Sequence, residues 1–203
     1  MRELAQPALA VGVMGSASGA MPASAREAAR RLGAAVARNG CTLVTGACPG
    51  LPYAAVEGAK EAGGLVVGIS PALGESDHVR RFHSPVRGFD MIVYTGSGLM
   101  GREVVNIRSS DMVVIVGGHS GTLGEFAIAY DEGRLIGVLT GTGGIADLTE
   151  ELQRHLVAKN TGAHVIYDAD PDLLVSRLIE YFATKHVRRP HVFANGAGVN
   201  GRG

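Results

Sequence analysis

Residues 111–132 read DMVVIVGGHSGTLGEFAIAYDE, and this stretch decides the fold. Asp111–Val116 is an apolar run without polar alternation, which is typical of a parallel strand covered on both faces. Gly117–Gly121 is a glycine-rich turn, and Thr122–Glu132 follows as a predicted helix. A buried strand, a glycine-rich turn and a helix together make one βα unit of an α/β protein.

Short apolar runs alternate with longer amphipathic stretches along the rest of the chain. Repeated βα units predict a Rossmann-like, doubly wound α/β fold of three layers, with a parallel sheet between helices. The predicted strands are Ala8–Met14, Cys41–Thr45, Leu65–Ile69, Met91–Tyr94, Asp111–Val116, Leu135–Leu139 and Ala163–Tyr167. The predicted helices are Arg26–Arg38, Leu51–Ala62, Leu99–Ser109, Thr122–Glu132, Ala146–Lys159 and Pro171–Lys185. We expect one domain over residues 1–186 and a flexible, solvated tail over 187–203.

The composition excludes several classes of protein. Apolar residues make up 46% of the 203 positions and charged residues 19%, which is a globular balance. Lysine and arginine number 19, as do aspartate and glutamate, so the basic excess of a nucleic-acid-binding surface is missing. No apolar run has the length of a membrane span, and no secretory pattern precedes Cys41 and Cys48. We expect a cytoplasmic protein without nucleic-acid or membrane partners, and we identify no metal site or cofactor.

Three glycine-rich turns follow predicted strands: Gly15–Gly19, Gly46–Gly50 and Gly117–Thr122. They are either plain connections or parts of one ligand site. Ligands of doubly wound folds bind beyond the carboxyl ends of the strands, where all three turns should converge. Glycines let the backbone approach a ligand, and the following helices offer free N–H groups to an anion. We favour a site for a phosphate-bearing ligand, although no turn matches the Walker loop or the G-x-G-x-x-G spacing.

Thr122 and Glu125 stand three residues apart at a predicted helix start, and two interpretations are open. In the first they form a capping box, which contributes about 1 kcal/mol to stability and no chemistry. In the second, Thr122 and nearby N–H groups hold a phosphate while Glu125 faces the ligand as an acid or base. The spacing alone favours the capping box.

The preceding helix changes this balance. Its apolar side, which we expect to face the core, carries Met100, Val104 and Ile107. Its opposite side carries Arg102, Asn106 and Ser109. Arg102 lies near the helix N-terminus, where the macrodipole disfavours a cation, so stability alone does not account for it. An anionic ligand does account for it.

The run Gly101–Glu125 resembles the paired signature of the Lonely Guy (LOG) family of cytokinin-activating phosphoribohydrolases, often mislabelled lysine decarboxylases. That family joins an arginine-bearing helix to a strand that ends in P-G-G-x-G-T-x-x-E. The matching positions are Arg102, Arg108, Asp111, Gly118, Gly121, Thr122 and Glu125. The first turn, GSASG, is similar to the family's G-S-S-x-G, and the likeness covers most of residues 8–186.

The resemblance implies an enzyme that hydrolyses the N-glycosidic bond of nucleoside 5′-monophosphates. Arg102 and Glu125 would be catalytic, because a carboxylate beside the sugar stabilises the positive charge that develops as the bond breaks. The residues implied in holding the ligand and its phosphate are Gly15, Ser16, Gly46, Gly117, Gly118, His119, Ser120, Gly121, Thr122 and Arg108. The family also forms dimers or larger homo-oligomers, so the resemblance implies assembly here.

Three departures from the LOG pattern point to a second function. Gly117 replaces the motif's proline, His119 replaces its second glycine, and Glu103 stands where the enzymes usually carry lysine. These changes are similar to the branch that includes molybdenum cofactor carrier proteins, so a non-catalytic carrier of a pterin-type or nucleotide ligand stays open. DNA processing, a third interpretation, is disfavoured by the neutral charge and the missing aromatic-plus-basic stripe. The polar loop Ser70–Asp90 is expected to form a rim or lid over the ligand.

Overall fold

The computed structural model describes residues 8–156 and 161–186. They contain a seven-stranded sheet in the order β4-β3-β2-β1-β5-β6-β7, with every neighbouring pair parallel. The strands are β1 (Ala10–Gly15), β2 (Thr42–Thr45), β3 (Val66–Ser70), β4 (Met91–Tyr94), β5 (Met112–Val116), β6 (Leu135–Leu139) and β7 (His164–Asp168). The predicted Rossmann-like parallel sheet is confirmed.

Helices cover both faces of the sheet. They are α1 (Ala23–Arg38), α2 (Leu51–Glu61), α3 (Glu75–Arg80), α4 (Gly98–Arg108), α5 (Ser120–Asp131), α6 (Thr149–His155) and α7 (Pro171–Thr184). One apolar core lies between the sheet and α1, α2 and α7, and a second lies between the sheet and α4 and α5. The predicted three-layer architecture is therefore confirmed.

Strand β5 shows why an unbroken apolar run forms the centre of this fold. Met112, Val114 and Val116 enter the core on the α1 side, whereas Val113 and Ile115 enter the core on the α5 side. All five side chains are fully buried. Burying such a side chain stabilises the fold by about 1.5–3 kcal/mol, so both faces favour apolar residues and no alternation remains.

The strand order places a crevice between β1 and β5. The chain winds from β1 towards β4 at one edge and from β5 towards β7 at the other. Where the winding direction reverses, the loops that follow the two central strands diverge to opposite faces of the sheet. Ligands of open α/β sheets bind at this point, beyond the carboxyl ends of the strands.

The predicted loop Ser70–Asp90 contains the short helix α3, which the polar composition did not reveal. Its anchor is His78, which is fully buried. The His78 ring lies 2.8 Å from the Ser70 hydroxyl through Nδ1 and 3.0 Å from the carbonyl oxygen of Pro85 through Nε2. These contacts order a segment that composition alone marked as irregular.

Other differences concern the ends of elements. The predicted helix from Ala146 is a 3-10 turn, Ala146–Leu148, followed by α6. Helix α5 begins two residues earlier than predicted. The predicted tail, 187–203, lies outside the described residues. Among the described helices, none combines the length and apolar character that a membrane crossing requires.

Candidate functional site

The loops after β1, β2 and β5 line a cavity at the carboxyl ends of the strands, which we call the cleft. Its volume is about 170 Å³, and it opens to solvent. This is less than the 300–1,000 Å³ that typical small-molecule pockets offer, so a nucleotide bound here would extend past the rim. The cleft is lined by Val13, Met14, Gly15, Ser16, Ala17, Ser18, Gly46, Cys48, Pro52, Arg102, Glu103, His119, Gly121, Thr122 and Glu125.

The structure brings most of the predicted site residues together. Those that line the cleft are Gly15, Ser16, Gly46, Arg102, His119, Gly121, Thr122 and Glu125. Those that do not line it are Gly117, Gly118, Ser120 and Arg108. The first three of these belong to the turn and helix start beside the cleft, whereas Arg108 lies elsewhere.

Arg108 lies six positions after Arg102 and therefore on a different side of α4. Its guanidinium donates to Oε1 of Glu132, with Nη2 at 2.7 Å and Nε at 3.1 Å. Glu132 follows the last residue of α5, so this ion pair joins the ends of the two helices. The structure does not bring Arg108 to the cleft.

Helix α4 turns its polar side inward, which contradicts the prediction from its apolar spacing. Arg102 and Asn106 are buried, whereas 80% of Met100 is exposed. Val104 is only partly buried, and Ile107 alone of the predicted apolar side is fully buried. The reason is position: on its inner side, α4 meets the cleft at Arg102, which lies against Gly46, and meets β1 at Asn106, which donates to Sδ of Met14. The apolar residues Met100 and Val104 are therefore left exposed or only partly buried.

Arg102 and Glu125 form a buried ion pair at the cleft, with Nη1 3.5 Å from Oε1. The exposed fractions of the two residues are 7% and 6%. Gly46 makes room for this arrangement, because a Cβ there would lie 2.1 Å from Nη1 of Arg102. Nε of Arg102 is buried and has no hydrogen-bond acceptor among the described residues. The pair thus leaves one buried donor of Arg102 without an acceptor in the part of the chain that the structure describes.

Burial raises the pKa of Glu125 from 4.5 to about 7. The attraction of Arg102 opposes this shift, and repulsion from Glu103 adds to it. A pKa near 7 suits a group that accepts or donates a proton at neutral pH. Glu125 therefore has the electrostatic properties of an acid–base group.

The capping-box interpretation of Thr122 and Glu125 is wrong. The residue that caps α5 is His119, and no side chain caps the helix by a hydrogen bond. Gly117 and Gly118 have φ values of 59° and 104°, which only glycine adopts readily. The chain therefore turns early and enters the helix at Ser120. This places Thr122 and Glu125 inside the helix, where neither can serve as its cap.

The N–H groups of the turn are not all available to a ligand. The Gly117 N–H donates to Oγ1 of Thr142 at 2.9 Å, and the Gly118 N–H donates to Oγ of Ser16 at 2.7 Å. The first N–H groups of any helix lack intrahelical acceptors. Because α5 also lacks a side-chain cap, its first turn, from Ser120, offers the donors that were expected from Gly118 onward.

His119 reaches from the β5 turn to the β1 turn. Its Cε1 lies 3.5 Å from the position that a Cβ on Gly19 would occupy. Together with the bond from Gly118 to Ser16, this contact brings the first and third glycine-rich turns into one wall. The histidine that departs from the LOG motif is therefore part of the cleft.

Seven further residues line the cleft that the sequence analysis did not assign to the site. Ala17, Ser18 and Cys48 lie inside the predicted turns, whereas the others lie beside the predicted motifs: Val13, Met14, Pro52 and Glu103. Their position within or next to the predicted motifs was the sequence signal that could have identified them. Burial raises the pKa of the Cys48 thiol to about 11, so this cysteine is neutral and a poor nucleophile. Of these residues, Glu103 is the one that could bind a ligand or take part in chemistry, because it places a carboxylate in the cleft.

The rim or lid predicted for the segment Ser70–Asp90 has no counterpart at the cleft. Of the described residues that line it, none comes from the Ser70–Asp90 segment. Within residues 8–156 and 161–186, no group of three or more His, Cys, Asp or Glu side chains is arranged to hold a metal ion.

Known proteins share both the fold and much of the sequence. An uncharacterized protein of Archaeoglobus fulgidus is 35% identical over 129 residues, which cover 64% of this chain and 78% of that protein. The molybdenum cofactor binding protein of Rippkaea orientalis is 28% identical with a TM-score of 0.72, over 89% of this chain and 100% of that one. The molybdenum cofactor carrier protein of Chlamydomonas reinhardtii is 29% identical with a TM-score of 0.65, over 85% and 99%.

A family model extends the likeness over nearly all of the described fold. The model of the SLOG cluster4 family matches residues 8–175, which include β1, the three glycine-rich turns and the Arg102–Glu125 pair. This range begins before the first strand and ends within α7. The chain therefore belongs to the SLOG cluster4 family.

Proposed function

We propose that the cleft binds a nucleoside 5′-monophosphate and that the protein hydrolyses its N-glycosidic bond to free base and ribose 5-phosphate. The observation that carries this proposal is the buried Arg102–Glu125 pair beside an open cleft. A buried ion pair contributes little net stability, because desolvation offsets the attraction between its charges. Its presence at a ligand site favours a chemical role over a structural one.

The phosphate is expected at the N-terminus of α5. The N–H groups of Ser120, Gly121 and Thr122 lie in its first turn, where the helix dipole is positive. No acidic residue occupies that turn. His119 and the hydroxyl of Ser18 line the same cleft and can add donors. These groups support capture of an anion without a lysine.

The chemistry would use Glu125 as both electrostatic partner and base. Water attacks C1′ of the ribose as the glycosidic bond breaks. The electron pair of that bond passes to the base nitrogen, which takes up a proton from solvent. The proton lost by water passes to Glu125, whose pKa near 7 allows this at neutral pH. Glu125 afterwards returns the proton of the attacking water to solvent. Arg102 holds the carboxyl group in place from 3.5 Å.

The test is base release from a panel of nucleoside 5′-monophosphates, with the matching nucleosides as controls. Hydrolysis of the monophosphates and slower hydrolysis of the nucleosides would support the proposal, because only the former reach the α5 N-terminus with an anion. Tight binding of a monophosphate without release of base would contradict it and would favour a carrier.

A molybdenum cofactor carrier is the second candidate. The proteins from Rippkaea orientalis and Chlamydomonas reinhardtii, which are described as binding or carrying that cofactor, match over nearly their whole length. Glu103 favours this candidate too, because it stands where the LOG enzymes usually carry lysine. Mass spectrometry of the small molecules that co-purify with the protein separates the candidates, since a bound pterin would support the carrier.

We also propose that two or more copies assemble through the β4–α4 surface. Exposed apolar side chains are concentrated there and in the turn after β3: Leu73, Met91, Val93, Leu99 and Met100. Burying such a patch in a second copy removes apolar area from water. Light scattering should show a dimer or larger species, and Met100→Asp should shift it towards the monomer. A wild-type monomer at micromolar concentration would contradict this proposal.

A further inference from the structure

Glu103 is a half-buried carboxylate in the cleft for which the proposed chemistry has no use. It makes no hydrogen bond and no ion pair with any residue of 8–156 or 161–186. Burial raises its pKa, and the attraction of Arg102 only partly opposes this. A carboxylate that is partly removed from water without a partner costs free energy in the unliganded protein. A ligand with suitable donors would recover that cost.

The Glu103 carboxylate lies beside two glycines of α5. Oε1 of Glu103 lies 3.5 Å from the place where a Cβ of Gly121 would be, and Oε2 lies 3.6 Å from the corresponding place at Gly124. The carboxylate therefore lies along the first turns of α5, where the helix carries no side chains to cover it. Neither glycine places a side chain between the carboxylate and the cleft.

The neighbouring charges leave Glu103 as an available acceptor. Arg102 is the cation of the cleft nearest to it, and that side chain pairs with Glu125. Nε of Arg102 is also buried without an acceptor. A carboxylate only accepts hydrogen bonds, and a guanidinium only donates them. The cleft thus presents one acceptor, the Glu103 carboxylate, that no described residue fills.

We propose that Glu103 determines ligand specificity by accepting two adjacent hydrogen-bond donors of the ligand. This rests on the proposed function, since it assumes that a nucleotide-like ligand fills the cleft. Two parts of such a ligand carry adjacent donors: the N–H and amino group of a 2-amino-4-oxopyrimidine edge, as in guanine or a pterin, and the cis-diol of ribose. Adenine lacks the paired donors, so its edge gains no second bond from the carboxylate.

The experiment compares three probes by isothermal titration calorimetry: GMP, IMP, which lacks the 2-amino group, and 2′-deoxy-GMP, which lacks one hydroxyl of the diol. We expect wild-type protein to bind GMP about tenfold more tightly than one of the two analogues. Weaker IMP binding identifies the base edge as the partner of Glu103, and weaker 2′-deoxy-GMP binding identifies the diol. In Glu103→Gln, GMP should bind about tenfold more weakly and the discrimination should vanish.

Controls separate the possible failures. Glu180→Gln changes an exposed glutamate of α7 and should leave all three dissociation constants unchanged. Glu103→Asp keeps the charge on a shorter side chain and should retain part of the discrimination, and thermal unfolding verifies that each variant folds. Equal binding of the three probes, or discrimination that persists in Glu103→Gln, overturns the inference alone. Absence of binding by every probe contradicts the proposed function and the inference with it.

Discussion

The two helical layers bury different kinds of residue. The buried residues of α1 are apolar or glycine throughout: Ala25, Ala29, Leu32, Gly33, Ala35 and Val36. The charged residues of that helix form exposed ion pairs instead, as Arg30 does with Glu61. On the opposite face, α4 buries Arg102 and Asn106 and leaves Met100 exposed. The α1 layer buries an apolar core, whereas the α4–α5 layer combines an apolar core with buried polar residues at the cleft.

The largest effect on activity should follow from removing the negative charge of Glu125 at the cleft. Glu125→Gln should lower base release by about a hundred- to a thousandfold, because glutamine cannot stabilise the developing positive charge of the sugar. Ligand affinity should stay close to the wild-type value, since the N–H groups of α5 are unchanged. Steady-state assays of base release and calorimetry measure the two effects. Unchanged activity would contradict the catalytic role of Glu125 and would favour a structural one.

The buried Glu125 of the α4–α5 layer should also make the stability of the protein depend on pH. The pKa of Glu125 is about 7 in the folded protein against 4.5 for the free side chain, so the folded state holds the proton more tightly between these values. The free energy of unfolding therefore falls as the pH rises from about 4.5 to about 7, by about 3 kcal/mol for a shift of this size. Glu125→Gln removes this contribution.

Chemical denaturation at pH 5 and pH 8 measures this difference. Relative to wild type, Glu125→Gln should be more stable at pH 8 than at pH 5. Glu61→Gln, an exposed change on α2, is the matched control and should track wild type at both pH values. A wild-type-to-variant difference that is the same at pH 5 and pH 8 would show that Glu125 titrates normally.

Two glycine substitutions should separate folding from function. A Cβ on Gly33 of α1 would lie 1.8 Å from the backbone carbonyl oxygen of Ala55, which cannot move without moving α2. Gly33→Ala should therefore destabilise the protein by about 1–3 kcal/mol. A Cβ on Gly46 meets only the end of the flexible Arg102 side chain, so Gly46→Ala should keep most of the stability and lose activity.

Thermal unfolding and activity assays on both alanine variants decide this comparison. The expected pattern is a lowered melting temperature with normal turnover, below that temperature, for Gly33→Ala. The reverse pattern is expected for Gly46→Ala. If both variants lose stability equally, the cleft is as much part of the folding core as the α1–α2 contact.

The smallest effect should follow from the exposed ion pairs. Arg30→Ala removes the partner of Glu61 on the α1–α2 surface. Solvent screens this pair and the side chains lose entropy in holding it, so the melting temperature should change little. Differential scanning calorimetry at low and high salt checks this. A large, salt-sensitive loss of stability would contradict the view that this surface contributes little.

The sequence by itself determined the three-layer fold and the edge of the sheet at which the glycine-rich turns meet. Met112–Val116 had to be a central strand, because a run without alternation can be buried only on both faces. The glycine-rich turns had to follow strands, and parallel strands bring all such turns to one edge of the sheet. Arg102 and Glu125 were identified from their resemblance to a family motif, and the fold carries both to the cleft.

Only the tertiary structure decided which side of α4 is buried and which polar groups line the cleft. Apolar spacing predicts the buried side of a helix when its neighbour is an apolar core, and α4 instead meets the loops of the cleft. Likewise, Thr122 and Glu125 have the spacing of a cap, but the left-handed turn at Gly117 and Gly118 starts α5 early and moves both inside the helix. The open carboxylate of Glu103 depends on contacts with α5 that no local pattern encodes. Local sequence specifies elements, whereas long-range packing specifies which of their sides meets a ligand.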